Sequence, residues 1–233
     1  STMKVAVLAA LHRAAEAGRI DLDAEIPVRN RFESAVPGAP AFGCDQAEDN
    51  DDAVWQRVGG TATPRWLAQR MIVRSSNLAT NHVLALVGTA AAAQVWAAVG
   101  ARDSVVGRGI EDAAAREAGI TNLVTAADLA ALFGAIATGA AALAPAQAGQ
   151  AMLDCLLAQE CTEDLAAGLP PGTRIAHKNG WVTGVRHGAG VVFPDDAPPY
   201  LLVVCTTTPL ADPDACELLA RVAAASWADR AQL

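Results

Sequence analysis

From Lys4 to about Ala17 the apolar positions are nearly continuous and Gly18 follows as a stop, a pattern that predicts a helix buried on most sides. The first turn of that helix is then expected deep in the protein. Residues 19–60 show no such period. They are rich in Pro, Gly and acids, and the run from Asp45 to Asp52, DQAEDNDD, predicts a solvated surface loop. Thr63-Pro64 supplies an N-cap and a first-turn proline for a helix running toward Arg74. Leu78 to Val87, closed by Gly88, and Ala90 to Val99, closed by Gly100, predict two more. Asp103 to Asn122 lacks periodicity and reads as a structured loop. Thr125 to Asp128 has the form of a capping box for a helix ending near Gly139, and Pro145 opens another that runs through about Gln159.

Beyond Pro170-Pro171-Gly172 the pattern becomes that of strands, at Thr173 to Val182, Gly188 to Phe193 and Tyr200 to Thr207, before a terminal helix from Asp212 to Arg230. This order predicts an α/β (α+β) chain: a helical subdomain over residues 1–169 and a sheet subdomain with a covering C-terminal helix over residues 170–233. The Ala-rich tracts lie inside periodic segments with Leu, Val and Trp, which points to close helix packing rather than low complexity.

Composition narrows the class of partner. With 233 residues, 52% hydrophobic and 18% charged, the chain can bury a sizeable core. A net charge of -8 and a pI near 4.9 argue against nucleic acid or an anionic membrane, because phosphate binding needs clustered Lys and Arg. A small molecule is the expected partner. No apolar stretch has the unbroken length of a membrane span. Of the five cysteines, Cys155 and Cys161 are close enough in sequence for a local bridge, while Cys205 and Cys216 read as packing residues. No CxxC or Cys/His cluster has metal-ligand spacing, so neither a metal nor another cofactor is implied.

Three short motifs carry candidate chemistry. Ser1 and Lys4 are nearly one helical turn apart, so a hydroxyl and an amine project from one face and can share a proton. Ser75-Ser76-Asn77 falls where one predicted helix ends and the next begins, so its hydroxyl and amide can point sideways into a cleft. Read alone it is a common capping sequence. Lys178-Asn179-Gly180 lies on the first predicted strand, with a glycine that lets a ligand approach the backbone. His177 and His187 flank that motif and read as structural.

Ser-x-x-Lys, Ser-x-Asn and Lys-x-Gly in this order resemble the penicillin-recognising serine enzymes, most closely the class A β-lactamase branch. The resemblance implies a β-lactamase/transpeptidase-like fold and a serine hydrolase that acts on β-lactams through an acyl-enzyme. It implies Ser1 as nucleophile, Lys4 as the group that takes its proton either directly or through water relayed by the loop carboxylate, Ser75 as proton relay and Asn77 as a holder of the substrate's side-chain amide. Lys178 would keep the pocket positive for a substrate with a carboxylate, and Arg186 would be a second carboxylate anchor. The backbone N–H groups of Ser1 and of Trp181, after Gly180, would form the oxyanion hole. Glu111 stands at the family's spacing from Ser75 for the carboxylate that activates water. Asp112 beside it is an alternative, and an ion pair with Arg108 or Arg116 is the purely structural reading.

The chain departs from the pattern at three positions. Ala115 replaces a water-holding Asn, Asn179 replaces a hydroxyl residue that helps bind the substrate carboxylate, and bulky Trp181 narrows or redirects the cleft. The alternatives are a D-alanyl carboxypeptidase or esterase of the same fold, a noncatalytic penicillin-binding sensor, and an enzyme using the Ser1 amine as base. Relatives carry a helix and strands ahead of the nucleophile, which complete the sheet. Leu201 to Cys205, apolar on both faces, is therefore expected to be covered by a segment missing before Ser1 or supplied elsewhere, and a bare edge counts against that expectation. A monomer or weak dimer is expected.

Overall fold

The computed structural model describes residues 1–232. Helix α1 spans Lys4–Glu16 and, as its unbroken apolar run predicts, nine of its residues are buried. Leu8 and Leu11 are almost wholly shielded, each contributing about 1.5–3 kcal/mol of burial. Gly18 ends the helix with a left-handed φ of 69°, and the amides of Gly18 and Arg19 fold back onto the carbonyls of Ala15 and Ala14. A short ribbon of β1 (Ile26–Pro27) and β2 (Thr61–Ala62) brackets a loop that contains α2 (Asp52–Trp55). The helices α3 (Pro64–Val73), α4 (Asn77–Val87) and α5 (Thr89–Ala98) follow, close to the predicted bounds.

The stretch expected as loop holds a second ribbon, β3 (Val105–Val106) with β4 (Asn122–Leu123), around α6 (Ala113–Glu117). Then come α7 (Ala126–Ala137) and α8 (Ala146–Leu157). Thr125 caps α7 by accepting from the Asp128 amide at 3.1 Å, but the return half of the expected capping box is not made. The Asp128 carboxylate accepts instead from the Arg102 and Asp103 amides, tying α7 to the loop after α5.

The strands β5 (Arg174–Val182), β6 (Val185–Phe193) and β7 (Tyr200–Thr207) form one antiparallel sheet in that order, and α9 (Asp212–Ala228) closes the chain. Lys178 pairs with Ala189, Gly180 with His187 and Trp181 with Arg186. One sheet face joins the main core through Ala176, Ala189 and Val191, packed with α1, α4, α7 and α8. Leu165, Val192, Tyr200, Leu202 and Leu219 form a second cluster beneath α9. This is the arrangement the resemblance implies, helices followed by an antiparallel sheet covered by a C-terminal helix. Among the described residues no single helix is long and apolar enough to cross a membrane.

One expectation fails here. All five cysteines are free, so Cys155 and Cys161 do not bridge. The outer edge of β7 is bare among the described residues, with Leu201 43% exposed and Cys205 exposed. The strand hides Tyr200 and Leu202 under α9, so one face absorbs much of its apolar content.

Candidate active site

The first turn of α1 delivers Lys4 into the interior, where its side chain is fully buried. Its Nζ donates to the Ser75 carbonyl oxygen at 2.8 Å, to Asn77 Oδ1 at 3.1 Å and to Ser75 Oγ at 3.3 Å. All three acceptors come from the second motif, more than 70 residues away in sequence. Burial holds the Lys4 amine well below the usual lysine pKa, the positive charge of Lys178 pushes it further down, and Asp49 opposes both. An amine so placed gives up its proton far more readily than a solvated one.

The backbone around Lys4 is shaped for contact. Ser75 has φ 59° and Glu111 has φ 69°, the two left-handed non-glycine residues among those described, and both are in this site. Ser76 caps α4 by accepting from the Ala79 amide at 3.1 Å. That turn lets Ser75 and Asn77 project toward Lys4. Asn81, one helical turn after Asn77, accepts from the Ile110 amide at 2.7 Å and donates to the Ile110 carbonyl at 2.9 Å, fixing the backbone just before Glu111. The Glu111 carboxylate accepts from the Asp45 amide at 2.7 Å and from Asn77 Nδ2 at 3.3 Å.

On the opposite wall, strand alternation places Lys178 and Gly180 on one face of β5. A Cβ at position 180 would lie 2.5 Å from the Ser1 nitrogen and 2.9 Å from that of Thr2, so only glycine lets β5 approach the start of α1. Lys178 is fully buried; its Nζ donates to the Asn179 carbonyl at 2.8 Å and to Asn179 Oδ1 at 3.2 Å. Burial lowers its pKa to about 8, which leaves it mostly cationic at neutral pH. Lys4 and Lys178 are the two lysines of the chain, and both are here. Between the walls lies a cleft of about 920 Å³ lined by Ser1, Asn77, Glu111, Gly180, Trp181 and His187 among others. Among the described residues no group of three His, Cys, Asp or Glu could hold a metal ion.

A model of the family described as "Beta-lactamase enzyme family" matches residues 1–229. The chain belongs to the β-lactamase family. Among curated proteins none matches it. Among solved structures, PBP-A is similar at 24% identity over all of this chain and 80% of that one, with a TM-score of 0.80. A β-lactamase from Sphaerobacter thermophilus is similar at 25% identity over 97% and 81%, with a TM-score of 0.76. Another, from Xanthomonas campestris, matches at 20% identity over 97% and 81%, with a TM-score of 0.79. Fold and family are thus those of a β-lactamase-like hydrolase.

Against the β-lactamase-like pattern, Ser1, Asn77, Glu111, Gly180 and Trp181 line one cleft, Lys4 and Ser75 are buried against Asn77, Lys178 is buried on the Gly180 face of β5, and two expected residues fall outside. Arg186 was expected to anchor a carboxylate, yet it is 1% exposed. Its guanidinium donates to Glu163 at 2.8 Å and to Asp164 and Asp212 at 3.0 Å, and sits 4.7 Å from the Trp181 ring centre. Strand alternation is the reason: Arg186 faces the short 3-10 turn Leu165–Gly168 and α9, while the next residue, His187, faces the cleft. Asn179 shares the Arg186 face, is fully buried, and directs Nδ2 to the Cys161 carbonyl at 3.5 Å rather than toward a ligand.

The loop carboxylates also separate cleanly. Asp112, the alternative to Glu111, accepts from Ser34 Oγ and the Ala35 amide at 2.8 Å and from the Ala115 amide at 3.1 Å. It anchors the loop and caps α6. No ion pair joins Glu111 or Asp112 to Arg108 or Arg116 among the described residues. Sequence reasoning missed the acidic run. Asp51 clasps Arg70, Glu48 accepts from Asn77 Nδ2 at 3.2 Å through its carbonyl, and Asp49 touches the second motif. The signal available was density: that many carboxylates in eight residues need cations or helix N-termini if any of them is buried.

Proposed function

We propose that this chain is a serine hydrolase that opens β-lactams through an acyl-enzyme on Ser1. The observation that carries the reading is the buried Lys4 amine, held against Ser75 and Asn77 and depressed in pKa by burial and Lys178. Ser1 Oγ bonds to the substrate carbonyl carbon while its proton passes to neutral Lys4. The oxygen that gains charge meets the backbone N–H groups of Ser1 and Trp181. As the C–N bond breaks, the proton held by Lys4 reaches the leaving nitrogen through Ser75 Oγ. Water then attacks the ester, giving a proton to Glu111 that returns to Ser1 Oγ as the ester C–O bond breaks. Asn77 holds the substrate's side-chain amide, and the charge of Lys178 favours a carboxylate on the substrate.

Intact-mass measurement after mixing with penicillin G, beside turnover of a chromogenic cephalosporin, tests the reading. A Ser1 adduct is expected, with none in Ser1→Ala. In Glu111→Ala the adduct should accumulate and turnover fall by about 10²–10³-fold; unchanged turnover would remove Glu111 from deacylation.

A second reading is a penicillin-binding sensor or D-alanyl carboxypeptidase that deacylates slowly. Both Glu111 oxygens already accept hydrogen bonds, and Ala115 offers no side-chain amide to hold water. A PBP-A mutant similar to this chain at 24% identity was solved as an acyl-enzyme complex with penicillin G. A wild-type adduct lasting hours favours this reading, and no adduct at all defeats both.

A further inference from the structure

The acidic loop touches the site at one carboxylate that no step above uses. Asp49 Oδ2 accepts from the Leu78 amide at 2.8 Å and from Ser76 Oγ at 3.2 Å, while Oδ1 accepts from the Asp51 amide at 3.2 Å. Leu78 lies in the first turn of α4, so Asp49 satisfies one of the amides that a helix N-terminus leaves without partners, and its charge suits the positive end of the helix. Ser75 and Asn77 flank Ser76, and both bind Lys4. The Glu48 carbonyl next to Asp49 accepts from Asn77 Nδ2, so the loop grips both sides of the motif.

We propose that Asp49 is a positioning residue that clamps the Ser75-Ser76-Asn77 turn and thereby holds in place the three acceptors of the Lys4 amine. The inference rests on Lys4 acting as the base. Around Lys4 the charged and titratable groups are Lys178 from β5, Asp49 from the loop, the Ser1 amine, the thiols of Cys44 and Cys161, and Glu111, which accepts from the same Asn77 that holds Lys4. Burial pushes Cys44 up to about 12 and Cys161 upward as well, so both thiols are neutral at pH 7. Asp49 is a carboxylate whose charge opposes burial and Lys178 at this amine. Without it, Lys4 would be neutral to lower pH, but the turn presenting its proton partners would lose an anchor.

The two lysines make the test direct. With ¹³Cε-labelled lysine in the full chain, NMR titration resolves Lys4 and Lys178 without any substrate. Asp49→Asn keeps an acceptor for the Leu78 amide and removes the charge. Its Lys4 midpoint should fall by about 0.5–1 pH unit. Asp49→Glu should return the midpoint toward wild type, and Ser76→Ala, which keeps the charge, should leave it unchanged while slowing penicillin acylation several-fold. A neutral Asp49→Ser variant supplies the same reading if Asp49→Asn does not fold. The acid limb of acylation should move with the Lys4 midpoint. A Lys4 midpoint unmoved by loss of the charge overturns the inference. Absence of wild-type acylation would instead defeat the proposed function, and the lysine titration would still decide the role of Asp49.

Discussion

Lys4→Met is expected to lower the rate of Ser1 acylation by penicillin by about 10³-fold, within the range supplied by a positioned general base. The side chain has near-equal volume, so the effect comes from losing an amine that bridges Ser75 and Asn77 rather than from a void. Lys4→Arg should be equally slow, because a guanidinium cannot release its proton. Stopped-flow or quenched intact-mass kinetics would settle the matter; a rate within tenfold of wild type would mean that Lys4 is not the base. The same substitution carries a thermodynamic signature. The folded-state pKa of Lys4 lies below its usual 10.5, so between the two values the unfolded chain holds more protons and stability rises with pH. The buried amine is therefore most costly on the acid side. Methionine does not titrate, so the melting temperature of Lys4→Met minus that of wild type should fall as pH rises toward 10.5.

That the three motifs belong to one site was expected through the family resemblance, but nothing local to Lys4 in the sequence names Ser75 and Asn77 as the acceptors of its amine. Most helix ends were legible for a local reason: Thr63, Thr125 and the glycines at 18, 88 and 100 act through bonds or φ values within a few residues. Orientation across the sheet was not. Arg186 and His187 are adjacent, and only the pairing of β5 with β6 decides which meets the cleft and which turns under Trp181. The acidic run failed for a related reason. Local polarity says solvent, but Asp49 and Asp51 find their partners 19 to 29 residues away, at Arg70, Ser76 and Leu78. The two-residue ribbons β1–β2 and β3–β4 are too short to leave any period in the sequence.

Arg186→Met should cost about 3–5 kcal/mol of folding free energy, the range for removing one member of a buried ion pair. The loss is concentrated at Asp164, which is fully buried and retains only the Leu165 amide as partner when the guanidinium goes. Glu163 and Asp212 have side chains 48% and 60% exposed and can return to water, so they add little. Urea denaturation would measure the change, and a loss below 1 kcal/mol would show that the network is not a structural keystone. Arg186→Met/Asp164→Asn should recover part of the stability, since the stranded charge is then gone. Activity gives the second readout. The guanidinium lies 4.7 Å from the Trp181 ring centre, and Trp181 follows the glycine that seats β5 against Ser1. Losing that stacked cation frees the ring at the end of the strand expected to supply an oxyanion donor. Acylation in the stabilised double variant should therefore remain slower than wild type even when the fold is restored. Were Arg186 instead a carboxylate anchor, the double variant would bind carboxylate-bearing substrates poorly and turn over neutral esters normally.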